Sequence, residues 1–257
     1  MTRLQRTLAD VSEESSDNGR IGIVGGSVGY PNQPALVGMA ALRTGSDHVR
    51  TLVAADTYPV VAGHSPNLLV SSYRGDHFGD AAVERAMELE EWADALVIGP
   101  GLVDADEGAV RETVSGADVP VVVDALAIEP GLEADLSNAI LTPSSREVDP
   151  IREEYGSLEA FTGETGAVIA LTGDVDEIVA DGERRTNETG TTALAVAGTG
   201  DTLTGIVASL LGQGTDRTDA AELGVWALGK AGELATADRG PGLVATDVID
   251  RIPDTIR

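Results

Sequence analysis

The sequence lacks cysteine altogether and is poor in aromatic residues and in cations. Without cysteine the chain can form no disulfide, no iron–sulfur cluster and no thiolate zinc site. Aromatic residues make up only 3% of the chain, so the core must be built from alanine, valine, leucine and isoleucine. Hydrophobic residues nevertheless reach 42% of the 257 positions, which is enough for a packed domain.

Positive charge is the scarcest property of the chain. There are 17 Lys and Arg against 43 Asp and Glu, a formal net charge of −26, and Lys230 is the only lysine. Nucleic acids and anionic membranes are bound by clustered cations, so we expect neither as a partner. Such a charge opposes folding at ordinary salt but is largely screened at molar salt, where the Debye length is about 3 Å. The composition therefore favours a protein of an extreme halophile over the alternative, an acidic protein of a non-halophile.

Long hydrophobic runs are also missing. No run approaches the roughly 18 apolar residues of a membrane span, and residues 1–20 have no apolar centre of the kind found in signal peptides. We therefore expect a cytoplasmic protein. Residues 1–19 are polar and are interpreted as a flexible lead-in. Residues 20–257 show no linker and no break in composition, so they are predicted to form a single domain.

Short apolar strands alternate with helical segments along most of this domain. The predicted strands cover residues 20–24, 48–54, 67–70, 95–98, 119–123, 140–141, 166–171, 175–180 and 184–186, and the predicted helices cover 34–44, 78–92, 106–114, 201–211, 218–237 and 244–257. The strands lack period-two alternation, which is typical of a parallel sheet covered by helices on both faces. Asp181-Gly182 predicts a hairpin. The expected fold is therefore α/β, mostly parallel, with an antiparallel edge.

Ligands of such sheets bind outside the carboxyl ends of the strands, so the residues that follow each strand are the candidates for a site. They are Gly25–Ser27, Gly99–Gly101, Asp124, Thr142-Pro143, Thr172-Gly173 and Gly198–Asp201. Most of them are glycine, small or acidic. This pattern indicates a site where the backbone approaches a phosphorylated ligand closely.

The segment Ala197–Asp201, which reads AGTGD, opens a predicted helix. Glycines at this position leave backbone N–H groups free to face an anion, and the helix dipole favours negative charge there. A carboxylate beside such an anion hole suits phosphoryl transfer, in which it takes the proton of the attacking hydroxyl. The alternative is that Asp201 only complements the helix dipole.

The common nucleotide and metal motifs are missing. A Walker A loop needs a Gly-Lys-Ser/Thr tripeptide, which the single lysine does not form, and no Gly-x-Gly-x-x-Gly follows the first strand. His48, His64 and His77 have no paired-ligand spacing and are interpreted as surface or structural residues. No metal ligands are therefore predicted.

Taken together, the motifs resemble those of the ADP- or ATP-dependent NAD(P)H-hydrate dehydratases, a carbohydrate-kinase-like family of the ribokinase-like superfamily. The similarity runs from about Arg20 to Ile256. The matching segments are Gly25-Gly-Ser27 with Tyr30 and Pro34–Leu36, Ala40–Gly45, Ser65–Val70, Ala95–Leu102, Val121–Ala125, Leu141–Pro143 with Glu147, Ala197–Gly205 and Ala245–Asp247. The match at Ala197–Gly205, AGTGDTLTG, is the strongest.

The resemblance implies a ribokinase-like three-layer sandwich and a hydro-lyase that repairs hydrated NADH or NADPH. In that family a phosphoryl group passes from ADP or ATP, with Mg²⁺, to the ring hydroxyl, and phosphate is then eliminated. The resemblance makes Asp201 the catalytic base and a substrate contact. It assigns Gly173, Gly198, Thr199 and Gly200 to the nucleotide and its phosphate, and Gln33, Gly101 and Ser144 to the substrate. Family members often form tetramers, so a homo-oligomer is expected.

Several family positions are substituted in this chain. Asn32-Gln33 replaces Gly-Ala, Leu126 replaces Asp, Ser144 replaces His, Arg146 replaces Gly, Thr172 replaces Lys and Thr191 replaces Asn. Serine and threonine can hydrogen-bond but cannot supply the charge of lysine. Two alternatives to the active dehydratase therefore stay open. One is a paralog that binds a nucleotide without turnover, and the other is a kinase of the same superfamily that acts on a small hydroxymethyl or hydroxyethyl heterocycle.

Overall fold

The computed structural model describes residues 18–256, which contain one nine-stranded sheet. Its strands are β1 (Arg20–Val24), β2 (His48–Ala54), β3 (Leu68–Tyr73), β4 (Ala95–Ile98), β5 (Val121–Val123), β6 (Ala139–Leu141), β7 (Val168–Leu171), β8 (Asp176–Ala180) and β9 (Glu183–Asn187). The spatial order is β3-β2-β1-β4-β5-β6-β7-β8-β9. The strands from β3 to β7 pair in parallel, whereas β8 and β9 are antiparallel. The predicted parallel sheet and its antiparallel edge are confirmed.

Helices cover both faces of this sheet. They are α1 (Gln33–Thr44), α2 (Tyr58–Ala62), α3 (Asp80–Glu90), α4 (Glu107–Gly116), α5 (Ile128–Gly131), α6 (Asp149–Tyr155), α7 (Leu158–Thr165), α8 (Thr199–Gly212), α9 (Arg217–Arg239), α10 (Ala245–Ile249) and α11 (Ile252–Thr255). One hydrophobic core contains residues of α1, α2 and α8 to α11, and the other contains residues of α3 to α7. The protein is therefore a three-layer sandwich.

The strands contribute alternate residues to these two cores. Ile21 and Ile23 of β1 lie in the first core, whereas Val24 lies in the second. In β4, Val97 faces the first core and Leu96 the second. Because successive side chains point to opposite faces, a strand buried on both sides must be apolar throughout. This is why the strands showed no alternation in the sequence.

The prediction of a single helix over residues 244–257 is wrong. The chain forms the short helices α10 and α11 there, and Arg257 lies outside the described residues. Pro253 stands in the first turn of α11. Proline has no N–H to donate to the carbonyl four residues earlier, so α10 cannot continue through it. Helices α2, α5, α6 and α7 were not predicted, because segments of four to eight residues carry too few turns for a clear periodicity.

Most of the predicted lead-in, residues 1–17, lies outside the described residues. Asn18 and Gly19 are bound to the segment before β2, because Asp47 accepts the Asn18 N–H at 2.8 Å and donates its own N–H to Gly19 O at 3.2 Å. Among residues 18–256, no helix is both long and apolar enough to cross a bilayer.

Candidate active site

The loops after β1, β4, β5, β6 and β7 meet at one edge of the sheet, because these parallel strands are neighbours. The turn after β4 lies against the backbone after β5. Gly99 has φ +121°, and a Cβ on it would lie only 1.9 Å from Asp124 O. The loop after β1 is held to the same turn, since Gly26 N–H donates to Pro100 O at 2.8 Å. Such close backbone contact requires glycine.

Helix α8 begins at this edge with an uncapped N-terminus. Its N-cap residue, Gly198, has φ +93° and supplies no side-chain acceptor. A Cβ on Gly198 would lie 2.8 Å from Leu36 Cδ1 of α1 and 2.9 Å from Ala245 Cβ of α10, so only glycine fits there. Thr202 N–H donates to Gly198 O at 3.0 Å, which begins the helical hydrogen bonds. The earlier N–H groups of the first turn are therefore available to an anion.

Of the two residues that follow Gly198, one is hydrogen-bonded to the preceding loop and the other is exposed to solvent. The hydroxyl of Thr199 lies 3.0 Å from Leu194 O and 2.9 Å from Val196 O, so it holds the preceding loop and leaves only the backbone N–H for a ligand. Gly200 is exposed, and a Cβ on it would meet nothing within 4 Å. The N-terminus of α8 thus opens to solvent at Gly200.

Asp201 stands in the first turn of α8 and is half-buried. Burial, and then the neighbouring carboxyls of Asp124 and Glu147, raise the pKa of Asp201 to about 8. A carboxyl with this pKa holds or releases a proton near neutral pH and is suited to general base catalysis.

Asp124 is the buried partner of Asp201; its position after a strand made it a candidate in the sequence, but no catalytic or binding role was predicted for it. It is 5% exposed, and its Oδ1 accepts a hydrogen bond from Thr142 Oγ1 at 3.0 Å. Thr142 Oγ1 also lies 3.0 Å from Thr204 Oγ1, one turn after Asp201 on α8. Burial raises the pKa of Asp124 to about 6, although hydrogen bonds from the two threonines oppose the rise. The signal for this residue was a carboxylate directly after the apolar strand Val121–Val123.

Two of the substituted family positions lie side by side beyond β6 and β7. Ser144 and Thr172 form an isolated parallel β-bridge, and Thr172 N–H donates to Pro143 O at 3.2 Å. Ser144 N–H donates to Glu147 Oε2 at 2.7 Å, which positions the carboxyl that faces Asp201. The missing His and Lys therefore concern one small region of the site.

Gly173, next to Thr172, is exposed at the turn after β7. Its N–H donates to Asp176 Oδ1 at 3.1 Å. This hydrogen bond therefore fixes the backbone of the turn at which a nucleotide would bind. The other substituted position nearby, Thr191, is engaged locally: its Oγ1 lies 3.0 Å from Thr236 Oγ1 and accepts the Ala193 N–H.

The predicted substrate residues Gln33 and Gly101 lie together. A Cβ on Gly101, which has φ +69°, would lie 3.3 Å from Gln33 Oε1. Gln33 is the first residue of α1, one turn before Leu36, which lies against Gly198. Ser46, just after α1, hydrogen-bonds Ser209 near the end of α8 at 2.7 Å, so the two helices run in parallel. Gln33 and Gly101 are thus adjacent to the N-terminus of α8.

The described residues include no group of three His, Cys, Asp or Glu that could hold a metal ion. The three histidines are exposed. His64 Nε2 lies 2.9 Å from Asn32 Oδ1, and His77 pairs with Asp76 at 3.0 Å. The prediction was that they are surface or structural residues, and the structure places all three at the surface.

Comparisons with known proteins agree with the geometry of this site. The family profile described as NAD(P)H-hydrate dehydratase, of the carbohydrate-kinase type, matches residues 21–254. The chain belongs to this family. The ADP-dependent (S)-NAD(P)H-hydrate dehydratase of Haloterrigena turkmenica is 74% identical over 257 residues, which is the whole of both chains.

Two solved structures share the fold. The ADP/ATP-dependent NAD(P)H-hydrate dehydratase from Bacillus subtilis, co-crystallized with ATP/Mg²⁺, superposes with a TM-score of 0.78 at 25% identity and covers 98% of this chain and 95% of that chain. A ribokinase-like superfamily protein from Enterococcus faecalis reaches a TM-score of 0.83 at 20% identity and covers 98% and 93%. The family and the ribokinase-like fold that the motifs predicted are therefore confirmed.

Proposed function

We propose that this protein is an ADP-dependent dehydratase of hydrated NADH and NADPH. The observation that carries the proposal is the position of Asp201, a half-buried carboxyl of raised pKa in the first turn of a helix whose N-terminus carries no cap. The full-length similarity to an ADP-dependent (S)-NAD(P)H-hydrate dehydratase supports the choice of ADP and of the S form of the hydrate.

The reaction begins with the hydroxyl that hydration has placed on the nicotinamide ring. In this proposal the carboxylate of Asp201 takes the hydroxyl proton as the oxygen attacks the terminal phosphorus of ADP, which releases AMP. The N–H groups of the first turn of α8, with Gly200 at the open side, stabilise the negative charge of the transferred phosphoryl group. Loss of phosphate from the ring, with a proton from the adjacent carbon, then restores the double bond.

Magnesium enters the proposal with the nucleotide. The described residues do not form a three-ligand cage, and Mg²⁺ commonly takes most of its ligands from phosphate oxygens and water. The nucleotide is assigned to the edge formed by Ser144, Thr172 and Gly173. The dinucleotide is assigned to the side formed by Gln33 and Gly101. Glu147 connects the nucleotide edge to Asp201, because its carboxyl helps to raise the Asp201 pKa. The N-terminus of α8 connects the dinucleotide side to Asp201, because Leu36 of α1 lies against Gly198.

The test is turnover in molar KCl. The protein is incubated with hydrated NADH, Mg²⁺ and either ADP or ATP, and recovery of the reduced-nicotinamide absorbance is followed. We expect recovery with ADP and its loss in Asp201→Asn. Asp216→Asn is the matched control, because Asp216 is also at a helix N-terminus, where it caps α9 by accepting Thr218 N–H at 2.9 Å. Nucleotide binding without recovery would instead favour the paralog that has no turnover.

We also propose that the protein is cytoplasmic and forms a homo-oligomer. Exposed apolar side chains support the second point: Leu69 on the edge strand β3 is 47% exposed, and Tyr58 and Val60 of the neighbouring α2 are exposed as well. Light scattering after size exclusion in molar KCl measures the assembly. A mass equal to one chain would contradict it.

A further inference from the structure

The loop between β1 and α1, together with the first residue of α1, holds two buried polar atoms that have no hydrogen-bond partner among the described residues. They are Ser27 Oγ, on a side chain that is 6% exposed, and Gln33 Oε1. Nearly all buried polar atoms in native proteins are hydrogen-bonded, so each exception needs an explanation. Two such atoms at the start of α1, beside the proposed substrate position, indicate that a ligand supplies the missing partners.

Both residues are held in place by the backbone around them. Ser27 closes a turn with Tyr30, through N–H to O contacts of 3.4 Å and 3.1 Å in the two directions. Gly26 N–H, next to Ser27, donates to Pro100 O at 2.8 Å. The loop is therefore attached to the turn that contains Gly101, and Gln33 Oε1 lies 3.3 Å from the position of a Cβ on that glycine.

Gln33 also lies near the helix that carries Asp201. Gln33 begins α1, and Leu36, one turn later, lies against Gly198 at the N-terminus of α8. One helical turn rises about 5.4 Å. Along α1, Gln33 is therefore about one turn from the level of Gly198, and Asp201 stands in the first turn of the helix that starts there.

The chemistry of the pair selects the group. An amide oxygen only accepts a hydrogen bond, so Gln33 Oε1 requires an N–H or O–H donor, while a serine hydroxyl can donate to a carbonyl. A primary carboxamide offers both a donor and an acceptor. In hydrated NAD(P)H the carboxamide is on ring carbon 3, opposite the hydroxyl on carbon 6. We propose that Ser27 and Gln33 bind this carboxamide and so orient the ring hydroxyl toward Asp201, an assignment that rests on the proposed function.

The experiment compares two substrates. One is the hydrate of NADH, and the other is the hydrate prepared from reduced 3-acetylpyridine adenine dinucleotide, in which a methyl group replaces the amide nitrogen. The wild-type protein should prefer the first by about tenfold in kcat/KM, the value of one neutral hydrogen bond. Gln33→Met keeps the side-chain length but removes the acceptor, so its preference should fall to about one. Ser27→Ala should weaken both substrates about equally, because both keep the carbonyl.

The matched control is Thr51→Val. Thr51 Oγ1 in β2 is also buried without a partner, but it lies in the strand interior. This variant should keep the wild-type kinetics, and the KM for ADP should stay unchanged in every variant. Thermal unfolding of each protein shows that it is folded. Turnover with an unchanged substrate preference in Gln33→Met would overturn the assignment, whereas a wild-type protein that converts neither hydrate would overturn the proposed function itself.

Discussion

Replacement of Asp124 by asparagine is expected to change the pH dependence of the reaction. Asp124→Asn preserves the shape of the side chain and the oxygen that accepts from Thr142. It removes the negative charge that faces Asp201, which is the second cause of the raised Asp201 pKa after burial. Because a like charge disfavours ionisation, its removal must lower the pKa of Asp201.

The size of the change follows from the order of the causes. The pKa of Asp201 is about 8 against an ordinary 3.8, a rise of about four pH units (8 − 3.8). Burial contributes most, Asp124 comes second and Glu147 third. Asp124 thus accounts for less than half of the rise, and we expect a fall of about one pH unit, or about 1.4 kcal/mol.

The assay is kcat/KM for hydrated NADH between pH 5 and pH 9. This quantity reports the ionisation of the free enzyme, so its acidic limb should move down by about one pH unit in Asp124→Asn. At pH 7 the ionised fraction of Asp201 would rise from about a tenth to about a half, whereas the plateau at high pH would fall because a weaker base accepts the proton less readily.

Two further variants make the result specific. Glu147→Gln should move the limb in the same direction but by less, since Glu147 is the smaller cause. Glu90→Gln removes another buried carboxyl, which accepts the N–H groups of Asp118 and Val119 before β5, at the opposite edge of the sheet. It should leave the limb in place. An acidic limb that is the same in Asp124→Asn and in the wild type would refute the reasoning.

Three other predictions concern the same site and the surface. Asp201→Asn should abolish turnover but stabilise the fold at pH 7 by up to about 4 kcal/mol. Between about pH 4 and pH 8 the carboxyl of Asp201 is ionised in the unfolded chain but stays protonated in the folded protein, so the wild type loses stability as the pH rises through this range. Urea unfolding measures the difference, and an equal difference at pH 5 and pH 8 would contradict it. Gly200→Ala should fold as well as the wild type, since no atom lies within 4 Å of the new methyl group. It should nevertheless lose at least about tenfold in kcat/KM, because the methyl group obstructs the transferred phosphoryl group. Full activity of this variant would exclude the phosphate from this position. Raising KCl from 0.1 M to 2 M should increase the unfolding temperature by at least about 5 °C, because the salt screens the repulsion that comes from the net charge of −26. An unchanged unfolding temperature would argue against halophilic adaptation.

The sequence predicted most of the sheet closely. The bounds of β1, β2 and β4 were identical to the prediction, because apolar strands between glycine turns and helices have clear ends. The glycine turn at Gly198 and the carboxylate at Asp201 could also be predicted, since a glycine turn before a helix is a pattern within one short segment. Short helices were not predicted, and the chain around Pro253 was predicted as one helix where it forms two.

The sequence by itself determined the layer architecture, the acidic surface and the family motif at α8, because each depends on composition, periodicity or the order of residues within one segment. Tertiary structure alone decided which residues of separate segments act together. Asp124 and Thr204 are 80 positions apart, yet Thr142 bridges them and so brings the charge of Asp124 close to Asp201. The unpartnered state of Ser27 and Gln33 likewise exists only after the β1–α1 loop packs against Gly101. Burial and the pKa values that follow from it are properties of the folded site, because they depend on which groups exclude water from one another.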